Sequence, residues 1–181
     1  MSKLALTRLQ EKFGAAILQT HSTPRGDDIA LVEPAQIRAI CAFLKSDPEL
    51  DFSMCTSVTC VDRMLLPETS PRFELVYLLF SLEKNHRLVL KARVDEAAPG
   101  VNPILDSVQP VWRCADWWER MIWDMYGVKF AGHPNLKRLY MYEEFVGHPL
   151  RKDYPLKGRQ PLIPERNFKD LVRGPGANPR D

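Results

Sequence analysis

The 181-residue sequence predicts a single α+β domain: a mixed or antiparallel sheet covered by two N-terminal helices and a tryptophan-rich helix, then an extended C-terminal arm. Three observations carry this reading. Apolar residues recur at three-to-four spacing in two early segments, three later runs have strand length and strand composition, and regular periodicity fades beyond Gly127. With 45% hydrophobic and 27% charged residues, the chain can bury a sizeable core and is not disordered throughout. The expected division is a core domain over 1–142, including a helix over 116–126, and a partner-binding arm over 143–181.

The elements follow in order. Leu6, Leu9, Phe13 and Ile17 share one face of an expected helix over 4–18. A second helix is expected from Pro34, whose fixed φ suits a first helical position; it buries Ile37, Ile40, Cys41 and Leu44 and stops at Ser46-Asp47-Pro48. Both read as covers for strands over 52–61, 73–82 and 87–94. The run 73–82 is apolar on both parities and is expected to be central. The run 87–94 alternates Leu88, Leu90, Ala92 and Val94 with Lys91 and Arg93, so one of its faces should meet water. Between them Asn85 offers a left-handed hairpin position. Ile104-Leu105-Asp106-Ser107-Val108 reads as a short turn or helix. In the next helix Asp116 is the expected cap, Glu119 completes a capping box, and Gly127 takes the left-handed terminating position. Trp118, Ile122 and Met125 form one stripe of that helix.

Several function classes fall away on composition. No apolar run approaches the roughly 20 residues that span a bilayer, so a membrane is expected to be met only through a partner. The N-terminus lacks the apolar core of a signal peptide and reads as a mature helix. Four cysteines without a Cys-x-x-Cys pair signal neither a disulfide framework nor a zinc or iron–sulfur site and fit a reduced, intracellular compartment. Cys55 and Cys60, five apart on a strand, are expected on opposite faces. Net charge is +2, which gives little encouragement to nucleic-acid binding. The basic character lies in residues 129–181, with 11 Lys/Arg against 6 Asp/Glu.

Gly-His-Pro occurs twice, at 132–134 and 147–149. His133 and His148 could be metal ligands or a catalytic pair, but each stands alone between Gly and Pro, where a ring nitrogen more often ties a turn to nearby backbone. Glu119 and Asp124 sit about 140° apart around a helix and do not converge for acid–base work; an Arg120–Asp124 pair at i, i+4 is the simpler expectation. Trp117, Trp118 and Trp123 point in too many directions for one core face, so part of this aromatic surface is expected to meet a partner. Arg151, Lys152, Asp153 and Tyr154, with Lys157 and Arg159, lack a glycine-rich phosphate loop. They read as an arm that docks on protein through Arg and Tyr anchors.

Residues 116–156, "DWWERMIWDMYGVKFAGHPNLKRLYMYEEFVGHPLRKDYPL", closely resemble the signature region of the 30 kDa, C-type subunit family of respiratory complex I, the proton-pumping NADH:quinone oxidoreductase. The match covers about forty residues with both Gly-His-Pro elements in register; Met121 stands where the family usually carries a second acid. The resemblance implies an accessory component of the hydrophilic arm beside the quinone-site subunits D and B. It implies a hetero-oligomer on the cytoplasmic side of the membrane, held there by the complex, with no nucleic acid involved. It also implies no catalytic, cofactor or metal residues in this chain, since NADH, FMN, iron–sulfur clusters and quinone belong to other subunits. On this reading Arg138, His148, Arg151, Lys152, Asp153 and Tyr154 contact the D-type neighbour. Trp117, Glu119, Arg120 and Asp124 support the signature helix, and His133 and His148 are architectural. Arg151→Glu should then impair assembly without altering the fold. Two other readings stay open: the homologous component of a membrane-bound hydrogenase or related dehydrogenase, and a metal-dependent hydrolase using His133 and His148.

Overall fold

In the computed structural model of the chain, which describes residues 3–24, 26–67, 70–98 and 100–157, five strands form a mixed sheet in the order β1-β2-β5-β4-β3. The strands are β1 (Ile17–Ser22), β2 (Asp28–Val32), β3 (Met54–Asp62), β4 (Phe73–Ser81) and β5 (His86–Val94). Neighbours run antiparallel except β2 and β5, which are parallel. Helices α1 (Lys3–Phe13), α2 (Ile37–Ser46) and α3 (Ala115–Tyr126) join one face of this sheet in a single buried cluster. Ala5 and Leu9 come from α1, Ile37, Ile40, Cys41 and Leu44 from α2, and Ala115 and Ile122 from α3. They meet Leu75, Tyr77, Leu79, Leu88, Leu90 and Ala92, alternate positions of β4 and β5. On the opposite face Glu74 accepts from Lys91 and Arg93, each at 2.7 Å, and Leu78 is exposed.

The single α+β domain with helices over a mixed sheet is as expected; several boundaries move. The first helix ends at Phe13 rather than 18. Gly14 takes a positive φ of 25°, one 3-10 turn follows, and Ile17 becomes the one buried residue of β1. An apolar residue at 17 satisfies a helical period and an inward strand position equally, so periodicity alone extended the helix too far. The run 73–82 is interior but flanks β5, which holds the middle position. Asn85 adopts φ 47° in the β4–β5 turn. Ile104–Asp106 is not a turn or helix but strand β6, paired in parallel with β7 (Lys129–Ala131). Cys55 and Cys60 share the buried face rather than opposite ones, because the extra residue Thr56 makes a bulge between Cys55 and Ser57 and shifts the alternation by one.

The capping box over α3 does not form. The helix begins at Ala115 after Cys114 without a side-chain cap, Asp116 lies inside the first turn, and Glu119 turns inward. The other end matches expectation: Gly127 has φ 79° and its amide bonds the Trp123 carbonyl.

Candidate functional site

Helix α3 carries two buried carboxylates that face opposite ways. Glu119 accepts from Ser107 Oγ at 2.6 Å and the Val108 amide at 2.7 Å, so it anchors the helix to the segment after β6. Burial pushes its carboxyl up to about 7, and the hydrogen bonds from Ser107 and Val108 only partly offset that rise. Asp124 is enclosed differently. Arg138 Nη1 stands 2.6 Å from Oδ1, and the amides of Leu139, Tyr140 and Met141 converge on Oδ2 at 3.1, 2.7 and 2.9 Å. Burial by itself would raise this carboxyl, but the Met141 amide, Arg138 and the two neighbouring amides outweigh it and hold it below the ordinary carboxylate range. Asp124 thus pairs with Arg138, not Arg120. Arg120 instead lies over the Trp117 ring, 5.1 Å from its centroid, and donates to the Lys137 and Arg138 carbonyls at 3.2 Å each.

Beyond β7 the chain winds back along α3, and each Gly-His-Pro makes one tie. His133 accepts the Asn135 amide on Nδ1 at 3.1 Å, which leaves Nε2 to donate to the Asp116 carbonyl at 3.3 Å. His148 Nδ1 lies 2.9 Å from the Asp124 carbonyl. Because a carbonyl can only accept, Nδ1 carries the proton and donates, and burial, helped by Arg151 and Arg138, holds His148 below its usual range. The two ties are therefore roughly 12 Å apart along the helix, and the histidines do not converge as a hydrolase pair would require. The glycines serve the same turns. Gly132 and Gly147 have φ 78° and 95°, and a Cβ on Gly147 would stand 2.9 Å from the Tyr154 ring.

The last carbonyls of α3, unpaired within the helix, are satisfied by this returning strap. His148 takes that of Asp124, the Leu150 amide that of Met125 at 3.1 Å, and Arg151 Nε that of Tyr126 at 2.6 Å. Arg151 also reaches Glu96 at 2.7 Å and Asn102 at 2.9 Å, and its charge suits the negative end of the helix dipole. Arg138 adds bonds to the carbonyls of Phe145 and Gly147 at 2.7 and 3.1 Å. Below, Asp62 accepts Arg72 at 2.9 and 3.0 Å and the Lys152 amide at 2.8 Å, while Asp153 meets the same Arg72 at 3.0 Å. Tyr154 stacks with Phe145, ring centroids 6.1 Å apart.

The signature residues expected on a partner surface are thus largely engaged within the chain. An Arg151→Glu change would oppose Glu96 and release the helix end, so these contacts predict that it weakens the fold as well as assembly. Beside the exposed Glu143, Glu144 and Lys152, the site presents large apolar side chains outward: Trp117 is 60% exposed, Tyr140 65%, Val146 70% and Leu150 48%. Sequence reasoning missed Asp62, Arg72, Glu96, Asn102 and Ser107, because their partners lie many residues away and no local pattern marks them. Among the described residues no three His, Cys, Asp or Glu side chains are grouped to hold a metal ion.

Residues 30–160 match the family described as the respiratory-chain NADH dehydrogenase, 30 Kd subunit. The C-type NADH-quinone oxidoreductase subunit numbered 2 of Rhizobium etli is 40% identical over 94% of this chain and 93% of the relative. The C-type NADH-quinone oxidoreductase subunit of Geobacter metallireducens is 44% identical over 85% and 90%. A chain in the structure of the membrane-bound sulfane sulfur reductase, an archaeal respiratory membrane complex, shares the fold with a TM-score of 0.69 at 21% identity, covering 86% of each chain.

Proposed function

The chain belongs to the family of the respiratory-chain NADH dehydrogenase 30 kDa subunit, and on that premise we propose that it is a docking subunit that binds no cofactor and carries out no chemical step. Its surface around α3 seats the quinone-site subunits D and B in the peripheral arm, on the cytoplasmic side of the membrane. No helix among the described residues is long and apolar enough to cross a membrane, and the partners supply the attachment. NADH, FMN, iron–sulfur clusters and quinone are handled by those partners.

The observation that carries this reading is how the polar groups of the signature are used. Arg120, Asp124, Arg138 and Arg151 are turned onto backbone and onto one another, so they brace a platform, while Trp117, Tyr140, Val146 and Leu150 face outward. Exposed aromatic residues on a braced frame are the usual anchors of protein interfaces, and preorganisation lowers the ordering cost of binding. Electron transfer benefits geometrically, because placement of the neighbouring subunits fixes the spacing of their redox groups.

The test is co-purification. An N-terminally tagged chain, isolated from gently solubilised native membranes, should bring a flavin and iron–sulfur complex with NADH:quinone activity. A complex carrying hydrogenase activity would move the chain to the related membrane-bound enzymes. Recovery of the chain alone would refute the docking role.

A further inference from the structure

Cys55 lies in β3 and Cys114 immediately precedes α3, yet the Cys114 side chain reaches Cys55. Cys114 Sγ is 3.4 Å from the Cys55 carbonyl oxygen, and after burial the neighbouring Cys114 is the next cause that raises the Cys55 thiol. The Thr56 bulge makes the meeting possible by turning Cys55 to the face on which α3 packs. Exposure divides the pair: Cys114 is exposed, whereas Cys55, like Cys41 and Cys60, is buried. A solvent oxidant therefore reaches Cys114 first, at a sulfur that lies against the Cys55 residue.

We propose that Cys55 and Cys114 are an oxidation-sensitive dithiol that a hydroperoxide converts into a disulfide, fastening the start of α3 to β3. In the first step the Cys114 sulfur, as thiolate, attacks one peroxide oxygen. The O–O bond breaks, hydroxide leaves and takes up the proton the thiol gave, and Cys114 becomes a sulfenic acid. In the second step the Cys55 sulfur attacks the Cys114 sulfur, the S–O bond breaks, and water departs with the Cys55 proton. Two thiols are oxidised by two electrons and one peroxide is reduced to two waters. Burial pushes the Cys55 thiol up to about 12, so the second step is the slow one, and the bond forms under sustained oxidant rather than in a reduced cytosol. A thiol reductant reverses it by exchange.

The experiment uses the purified full-length chain, treated with hydrogen peroxide, blocked with N-ethylmaleimide, digested and read by mass spectrometry. The expected result is a Cys55–Cys114 linked peptide pair, with alkylatable thiols falling from the four of the sequence to two, restored by dithiothreitol. Cys60→Ser should retain the link, and Cys114→Ser should lose it and keep its three thiols. The same treatment in urea should lose the selectivity, since unfolding separates the pair. Conversion of Cys114 to sulfinic acid while Cys55 stays alkylatable, or a link joining other cysteines in the folded chain, would overturn the proposal.

Discussion

Gly127 ends α3 with φ 79° and has no space for a side chain. An atom at the Cβ position would stand 2.5 Å from His148 Nε2 and 2.7 Å from an Arg151 guanidinium nitrogen. Gly127→Ala therefore meets both a left-handed backbone penalty and displacement of the two side chains that close the helix. The combined loss should be on the order of 2–4 kcal/mol, seen as a lower urea midpoint with an unchanged slope. Glu119 makes a second prediction at this scale. Its folded value, about 7, lies above the ordinary 4.5. The folded state therefore binds more protons than the unfolded chain between those values, and stability falls as pH rises from about 4.5 to 7. The difference corresponds to roughly 3 kcal/mol. Glu119→Gln can keep both hydrogen bonds, with its carbonyl accepting from Val108 and its amide donating to Ser107. It should remove that slope, so that variant and parent diverge in favour of the variant as pH rises; parallel stability curves across the window would refute this account of Glu119.

At the scale of elements, α3 and the strap over 145–154 form one unit, because the strap supplies the donors that the helix C-terminus lacks. Arg151→Ala should cost about 2–4 kcal/mol: it strips a charge-assisted bond from the Tyr126 carbonyl and leaves Glu96 to the more distant Arg72, 3.7 Å away. Hydrogen exchange should show the last turn of α3 losing protection before the sheet does. The sequence shows why only half of this unit was legible. Gly127 announces the helix end locally, and Gly-His-Pro announces turns. That Asp124 chooses Arg138 over Arg120, however, depends on three consecutive amides brought round by those turns, which side-chain spacing on the helix does not register. Strands show the same division. β4 and β5 are long and patterned enough to read directly, whereas β2, β6 and β7 have only five, three and three residues and owe their state to the strands beside them. Residues 158–181 of the expected arm lie outside the described residues.

For the whole molecule, the internally bonded groups around Asp124 and Arg151 serve folding, whereas the exposed rings of Trp117 and Tyr140 are free to serve assembly, and variants can be chosen that affect one without the other. Trp117 stands on the solvent side of α3, and Tyr140 projects from the segment whose amides hold Asp124. Removing either ring leaves that carboxylate and the helix end intact. Surface truncations away from buried networks usually change stability by no more than about 0.5 kcal/mol, whereas a ring at the centre of an interface contributes about 2 kcal/mol, a factor of roughly 30 in affinity. The double variant Trp117→Ala, Tyr140→Ala should therefore melt close to the parent chain yet recover markedly less partner protein and NADH:quinone activity from solubilised membranes. Arg151→Ala should also lower recovery, but with a matching fall in its own stability, and that contrast tells a lost contact from a lost fold. If the double variant assembles as the parent does, the interface lies elsewhere on the chain, and the open sheet face around Leu78 becomes the next surface to alter.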